Sequence, residues 1–299
     1  MAFQKAQRKK AKARIGICGP AGSGKTMSAL RLAFGLGGKV AVIDTEHGSA
    51  ELYAHLGEYD VATITPPFEP EKYIALMKDA EAAGYDTIIL DSLSHAWAGE
   101  GGLLEFVDKR SAAGNKFAAW RDATPKHNKL IDAILQSRCH VIATMRSKTE
   151  YVVEENERGK SVPKKVGMAP VQREGMDYEF TIVFDVEQTK HVATVSKDRT
   201  DLFNGFCDTI TEAHGQKIRA WLDGGVEAPV APPAAHGYVD QIRDKLLTHY
   251  AGFDADAKQA LTDITGGKMA WDNLADYPEE WLIRALAKVK EYIQGGPAQ

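Results

Sequence analysis

Cysteine is scarce in this 299-residue chain: Cys18, Cys139 and Cys207 are the only three. They are too few and too scattered for a disulfide framework or a zinc cluster. Cys18 and Cys139 lie in apolar runs that read as buried strands, so packing is the better reading of both than catalysis. No apolar run is long enough for a membrane span, and the basic N-terminus lacks the apolar core of a signal peptide. Membrane and secretory readings drop out, and a reduced, cytoplasmic setting is expected. An excess of positive charge is also missing: 37 Lys and Arg stand against 41 Asp and Glu, a net charge of -4. That excludes a uniformly basic nucleic-acid coat but leaves local patches open. Lys5, Arg8, Lys9, Lys10, Lys12 and Arg14 gather in the first fourteen residues without an acidic neighbour. Such an arm is either a phosphate contact or a solvated leader.

What is present is an alternation of short apolar runs with helix-length amphipathic stretches. Arg14 to Cys18, Val40 to Asp44, Val61 to Ile64, Thr87 to Asp91 and His140 to Met145 read as central strands. Between them, Lys25 to Leu36, Glu69 to Ala83 and Pro125 to Gln136 have helical spacing, the last with Thr124 as cap and Pro125 as first helical residue. Alternation of this kind predicts an α/β fold with a mainly parallel sheet covered by helices. Tyr178 to Val186 and His191 to Ser196 read as an edge hairpin, and Thr209 to Leu222 as a last core helix. Residues 224–236, rich in Pro, Ala and Gly, read as a linker. Beyond it three short amphipathic helices predict a small helical domain over 237–299, with Trp271, Tyr277 and Trp281 as its core. The expected order is an arm (1–13), an α/β core (14–223), the linker and the helical domain.

Gly19, Pro20, Ala21, Gly22, Ser23, Gly24, Lys25 and Thr26 fill every fixed position of the phosphate loop G-x-x-x-x-G-K-[ST], directly after an apolar strand. Glycines let backbone N–H groups turn inward around phosphates, Lys25 reaches the β and γ oxygens, and the Thr26 hydroxyl ligates magnesium. Met27 follows in the helix that opens there and belongs to the same binding segment. ATP and Mg2+ are the expected cofactors. Thr87 to Asp91 has the pattern of a Walker B strand, with Asp91 at its tip as second magnesium ligand. Glu46, just past the tip of the strand after the loop helix, should face the γ-phosphate and activate the attacking water.

The stretch Ile43-Asp-Thr-Glu-His-Gly-Ser-Ala-Glu-Leu-Tyr-Ala54, with Leu90-Asp91-Ser92, resembles the RecA family of P-loop ATPases, over about Arg14 to Leu222. Order and length look most like phage RecA-core ATPases of recombination and single-strand annealing. The resemblance implies a RecA-like core, Glu46 as catalytic base and Tyr53 as platform for adenine. It implies that Lys197 and Arg199, a K-x-R pair after the edge hairpin, reach the nucleotide of a neighbouring subunit. It further implies single-stranded DNA as partner, a homo-oligomer in filament or ring form, a single-strand-binding protein as companion and, for a phage-encoded chain, the bacterial cytoplasm. Where RecA proteins carry a Gln sensor this chain reads Ala143-Thr-Met-Arg-Ser-Lys148, with Thr144 or Arg146 as substitute.

Tyr151 to Asp177 occupies the position of the family's second DNA-binding loop and carries Arg158, Lys160, Lys164, Lys165 and Arg173. A mobile strand-tracking loop and a plain solvated loop both fit it, since Glu154, Glu155 and Glu157 dilute the charge. Ala98 to Gly102 and Lys116 to Arg121 stand where the first loop would be, although Phe117 and Trp120 equally suit a core at helical spacing. Phe3 and Ala6 match the F-x-x-A pattern by which related eukaryotic recombinases dock onto a neighbour. A nucleotide-switched partner-binding or partition-type ATPase is the alternative, but such loops usually carry an early lysine where Pro20 and Ala21 stand here.

Overall fold

The computed structural model describes residues 5–295 apart from 9, 113, 156–160, 227–234, 251–253 and 273. The chain divides into two compact units, Met1–Glu227 and Ala228–Gln299. In the first, β1 (Arg14–Gly19), α1 (Lys25–Leu36), β2 (Val40–Asp44), β3 (Asp60–Thr63), α2 (Pro70–Ala82) and β4 (Thr87–Asp91) are followed by α3 (Ser94–Ala98), α4 (Leu103–Ser111) and α5 (Lys116–Gln136). Then come β5 (His140–Glu155), β6 (Ser161–Pro170), β7 (Ile182–Val186), β8 (Ala193–Asp198), β9 (Cys207–Asp208) and α6 (Glu212–Asp223). The sheet order is β3-β2-β4-β5-β1-β7-β8-β9, and β6 pairs only with β5. From β3 to β7 all neighbours are parallel, while β8 and β9 close the edge antiparallel.

Every residue of β1, β2 and β4 is buried, as their unbroken apolar runs require in a sheet covered on both faces. Tyr73 and Met77 of α2 and Leu130 and Ile134 of α5 pack on Ile43, Ile88, Leu90 and Val141. On the other face Leu30 and Leu36 of α1 and Ile218 and Leu222 of α6 pack on Ile15, Ile17, Val42 and Ile142. Each such buried aliphatic contributes about 1.5–3 kcal/mol. The two helices of this second face touch at Gly35 and Gly215: a Cβ on Gly35 would stand 2.8 Å from the Gly215 Cα. The sheet is thus clamped on both faces, and the loops beyond the carboxyl ends of its parallel strands gather at one end.

Several expectations are corrected. The helix expected to open at Pro125 begins nine residues earlier, because the Asn115 side chain accepts from the N–H groups of Phe117 and Ala118 at 2.9 and 3.3 Å and caps it there. Pro125 lies inside α5, which buries Ala119, Ala123 and Leu130 around it. Phe117 is 89% exposed, so it is not a core residue, whereas Trp120 packs against Trp97. Much of the stretch from Tyr151 to Asp177 is a ribbon and not an irregular loop: β5 continues beyond the sheet and pairs antiparallel with β6 from Ser147↔Pro170 to Glu155↔Ser161. Valines at 152, 153, 162 and 166 favour this extended pairing. Arg14 is no part of a free basic arm, since its guanidinium is buried and donates to the carbonyls of Ala13 and Cys139 at 2.8 Å. That burial lowers its pKa to about 10.

The second unit contains α7 (Ala235–His249), α8 (Asp254–Thr265) and α9 (Glu279–Gly295), packed pairwise around Val239, Ile242, Leu246, Leu261, Leu282 and Val289. Its core is mainly aliphatic, with Tyr238 as its buried aromatic, and not the expected set: Trp271 and Tyr277 pack at its margin and Trp281 is 47% exposed. Among the described residues no helix is long and apolar enough to cross a membrane.

Candidate active site

The loop between β1 and α1 holds Gly22 at φ 75° and Gly24 at φ 88°, left-handed values that a side chain resists. Its Ser23 hydroxyl is buried without a hydrogen-bond partner among the described residues and lies against Gly19, where an added Cβ would stand 2.4 Å from Ser23 Oγ. Lys25 Nζ donates to the Pro20 carbonyl at 2.8 Å, so the lysine folds over its own loop. Burial lowers the Lys25 pKa, and the charges of Asp91 and Glu46 only partly restore it. An anionic phosphate at the N-terminus of α1 would complete the compensation.

Parallel pairing sets Asp91, at the tip of β4, beside β5 and beneath the start of α1. Thr26 Oγ1 donates to Asp91 Oδ2 at 2.6 Å and Thr144 Oγ1 to Oδ1 at 2.5 Å. Burial drives the Asp91 pKa up, and the hydroxyls of Thr144 and Thr26 offset only part of that. These are hard oxygen donors around a buried carboxyl, a set suited to magnesium, with Thr26 and Asp91 as its holders. Thr144, expected at the nucleotide, instead spends its hydroxyl on the Asp91 carboxyl.

Glu46 follows β2 in a turn that Asp44 organises: the buried Asp44 carboxylate accepts from the N–H of Glu46 at 2.6 Å and of Gly48 at 2.7 Å. The Glu46 carboxylate is gripped two-handed by Arg146, whose Nε donates to Oε1 at 3.0 Å and whose Nη2 donates to Oε2. Burial pushes the Glu46 carboxyl up, but the Arg146 hydrogen bonds and charge, with His95 and Lys25, hold it below the usual value. Arg146 pairs with Gly19 in the sheet, and at the next residue, Ser147, β5 leaves the sheet for the ribbon. Its own N–H is anchored on Ser94 Oγ at 2.9 Å. Arg146 therefore joins the carboxylate to the ribbon's root, a role beyond that of the substitute sensor its position in the sequence implies.

Tyr53 and Met27 meet in a cleft of about 400 Å³ beside the loop, together with Gly24, Arg31, His191 and Ile210. This is wide enough for a planar base. The β7–β8 turn, a hairpin connection by its sequence, supports the loop: Gln188 Nε2 donates to the Ala21 carbonyl at 2.9 Å and His191 Nδ1 lies 3.0 Å from the Ser23 carbonyl. Sequence held one weak signal for it, a polar turn in the strand next to β1.

Lys197 and Arg199 are not brought to this site. β8 runs antiparallel to β7, so they stand at the opposite end of the sheet, near the start of β1. Both donate to the Tyr178 carbonyl, Arg199 at 3.0 Å, and Lys197 also reaches the Asp177 carbonyl at 3.0 Å. Lys164 and Lys165 lie on β6 opposite Val152 and Tyr151. Arg173 is half-buried beyond the ribbon beside His127 and Asn128, in a cleft of about 430 Å³. Arg158, Lys160 and Phe3 lie outside the described residues, and Ala6 is exposed.

Comparison with known proteins adds a family. The family described as AAA domain matches residues 11–213, which spans the sheet, the phosphate loop and both halves of the site. No curated protein matches by sequence. Similar solved structures include a prototypical ATPase from the type III secretion system of pathogenic bacteria, 14% identical, covering 93% of this chain and 80% of that chain with a TM-score of 0.37.

Proposed function

The chain belongs to the AAA domain family of P-loop ATPases, and from that premise we propose that it is a magnesium-dependent, DNA-stimulated ATPase of the recombinase class. It works as an oligomer on single-stranded DNA, in recombination or strand annealing of the phage RecA-core kind. The observation that carries this reading is the Glu46–Arg146 fork, because it ties the group suited to activate water to the root of a ribbon that extends from the sheet. In this reading Lys25 and the loop N–H groups bind the triphosphate, and Tyr53 receives the base. Thr26 and Asp91 hold magnesium, which when bound would neutralise phosphate charge. Glu46 orients water and accepts its proton once Arg146 turns to phosphate. DNA on the ribbon biases Arg146, and Lys197 and Arg199 act on a neighbour's nucleotide, where cations stabilise a loose phosphoryl-transfer transition state.

The test is ATP turnover by the full chain with and without single-stranded DNA, alongside Glu46→Gln. Stimulation by DNA, lost in Glu46→Gln, is expected. Turnover indifferent to DNA, with no DNA binding at low salt, refutes the reading.

A further inference from the structure

The second unit carries an asymmetry of charge that its folding does not use. Residues 235–295 contain ten acidic and seven basic side chains, so the unit is acidic on average. Three of the seven, Lys268, Arg284 and Lys288, nevertheless rim one cleft of about 320 Å³. Its floor is buried Met269 and Ala285 and its wall is half-exposed Trp281. Trp281, Arg284 and Lys288 follow one another at three- and four-residue spacing on α9, so they share a face. The left-handed glycines Gly266 and Gly267 turn the chain after α8 and bring Lys268 to the same opening. Arg284 and Lys288 enter none of the described ion pairs. Arg243 is the contrast: it donates to the Trp271 carbonyl at 2.7 Å and lies 5.7 Å over the Trp271 ring, spent on the unit's own packing. Trp281 is 47% exposed and stacks on Tyr277, with ring centroids 6.5 Å apart and planes 22° apart.

We infer that this cleft is a binding site for single-stranded nucleic acid, one base stacking on Trp281 while Lys268, Arg284 and Lys288 contact the flanking phosphates. An aromatic plane beside three cations that enter none of the described ion pairs suits a sequence-tolerant contact with a nucleotide chain. A wholly acidic peptide would use the cations but leave the indole without a stacking partner. The inference rests on the proposed DNA-dependent function and adds a second contact, in the helical unit, to the ribbon of the first.

The experiment uses the full chain and measures fluorescence anisotropy of labelled oligo(dT) and of an abasic oligonucleotide of equal length, across a salt series. Trp281→Ala should weaken oligo(dT) binding about tenfold and abasic binding hardly at all, while Trp281→Phe keeps most of the affinity. The triple variant Lys268→Gln, Arg284→Gln, Lys288→Gln should weaken both ligands and lower the logarithmic salt slope by about 2. ATP turnover without DNA and the thermal unfolding profile should stay as in the parent. Parent-like affinity and slope in these variants overturn the inference while leaving the proposed function standing. Tighter binding of a polyglutamate peptide than of oligo(dT) at this cleft overturns it in favour of an acidic peptide. If the parent chain itself binds no oligo(dT) at low salt, the proposed function falls and this site falls with it.

Discussion

The two ends of the central sheet carry comparable charge chemistry in opposite states of completion. At the carboxyl end of the parallel strands, Lys25, Thr26, Asp91, Thr144, Glu46 and Arg146 engage one another or their own loop within one chain. At the other end Lys197 and Arg199 share a backbone carbonyl, that of Tyr178, and enter none of the described ion pairs, the charges of Asp177 and Glu179 acting on Lys197 from farther off. The first cluster has what a triphosphate needs. The second holds two cations on a neutral acceptor, from which a phosphate would draw them. One chain therefore presents a nucleotide site at one end and a pair of cations at the other, the arrangement expected if sites are completed between subunits packed head to tail.

Breaking that comparison gives the largest effects. Lys25→Ala should abolish nucleotide binding and turnover together. Arg199→Ala should leave nucleotide affinity within about twofold and reduce kcat by about 10³, the range for a cation acting on transferring phosphate. Mixed in equal amounts, the two inactive variants should recover about a quarter of the parent rate, because one interface in four pairs an intact Lys25 with an intact Arg199. No recovery in the mixture, with both variants folded, sinks the idea that the far end serves a neighbour.

The carboxylate at the near end is expected to respond next. Glu46→Gln should cost about 10²–10⁴ in turnover while binding persists. Arg146→Met gives a finer result. With Arg146 present, the Glu46 pKa lies below the ordinary range, so the ionised base survives well into acid. Without it burial dominates, the folded-state pKa rises, and the acid limb of the turnover-pH profile moves to higher pH. A limb that stays in place means that Glu46 is not the group titrating in that limb.

The phosphate loop was legible because its chemistry is local: eight consecutive residues carry it, and strand and helix flank it in sequence as in space. Four of the strand runs were legible for a related reason, since a doubly covered sheet writes itself as unbroken Val and Ile. What could not be read was pairing between distant residues. Nothing near Glu46 announces Arg146, a hundred positions away, and nothing in Gln188 announces Ala21; the first partnership exists because parallel register sets β2 and β5 on either side of β4, the second because β7 lies beside β1. The start of α5 escaped because a proline inside a helix resembles a proline that opens one, and Asn115 outweighed it. The ribbon escaped because its charges spoke for solvent while its valines spoke for pairing.

The smallest effects separate the two supports of the loop itself. Tyr53 reaches the cleft as an aromatic plane, whereas Gln188 holds the Ala21 carbonyl and touches no base. Tyr53→Ala should therefore weaken ATP about fivefold, the order of one aromatic contact, and leave inorganic tripolyphosphate unchanged, with Tyr53→Phe restoring ATP affinity. Gln188→Ala removes a hydrogen bond of about 1 kcal/mol that steadies the loop, so ATP and tripolyphosphate should weaken alike. Competition titrations against a fluorescent nucleotide distinguish the patterns. Were Tyr53→Ala to weaken tripolyphosphate as much as ATP, Tyr53 would be a prop for the loop and the base would lie elsewhere.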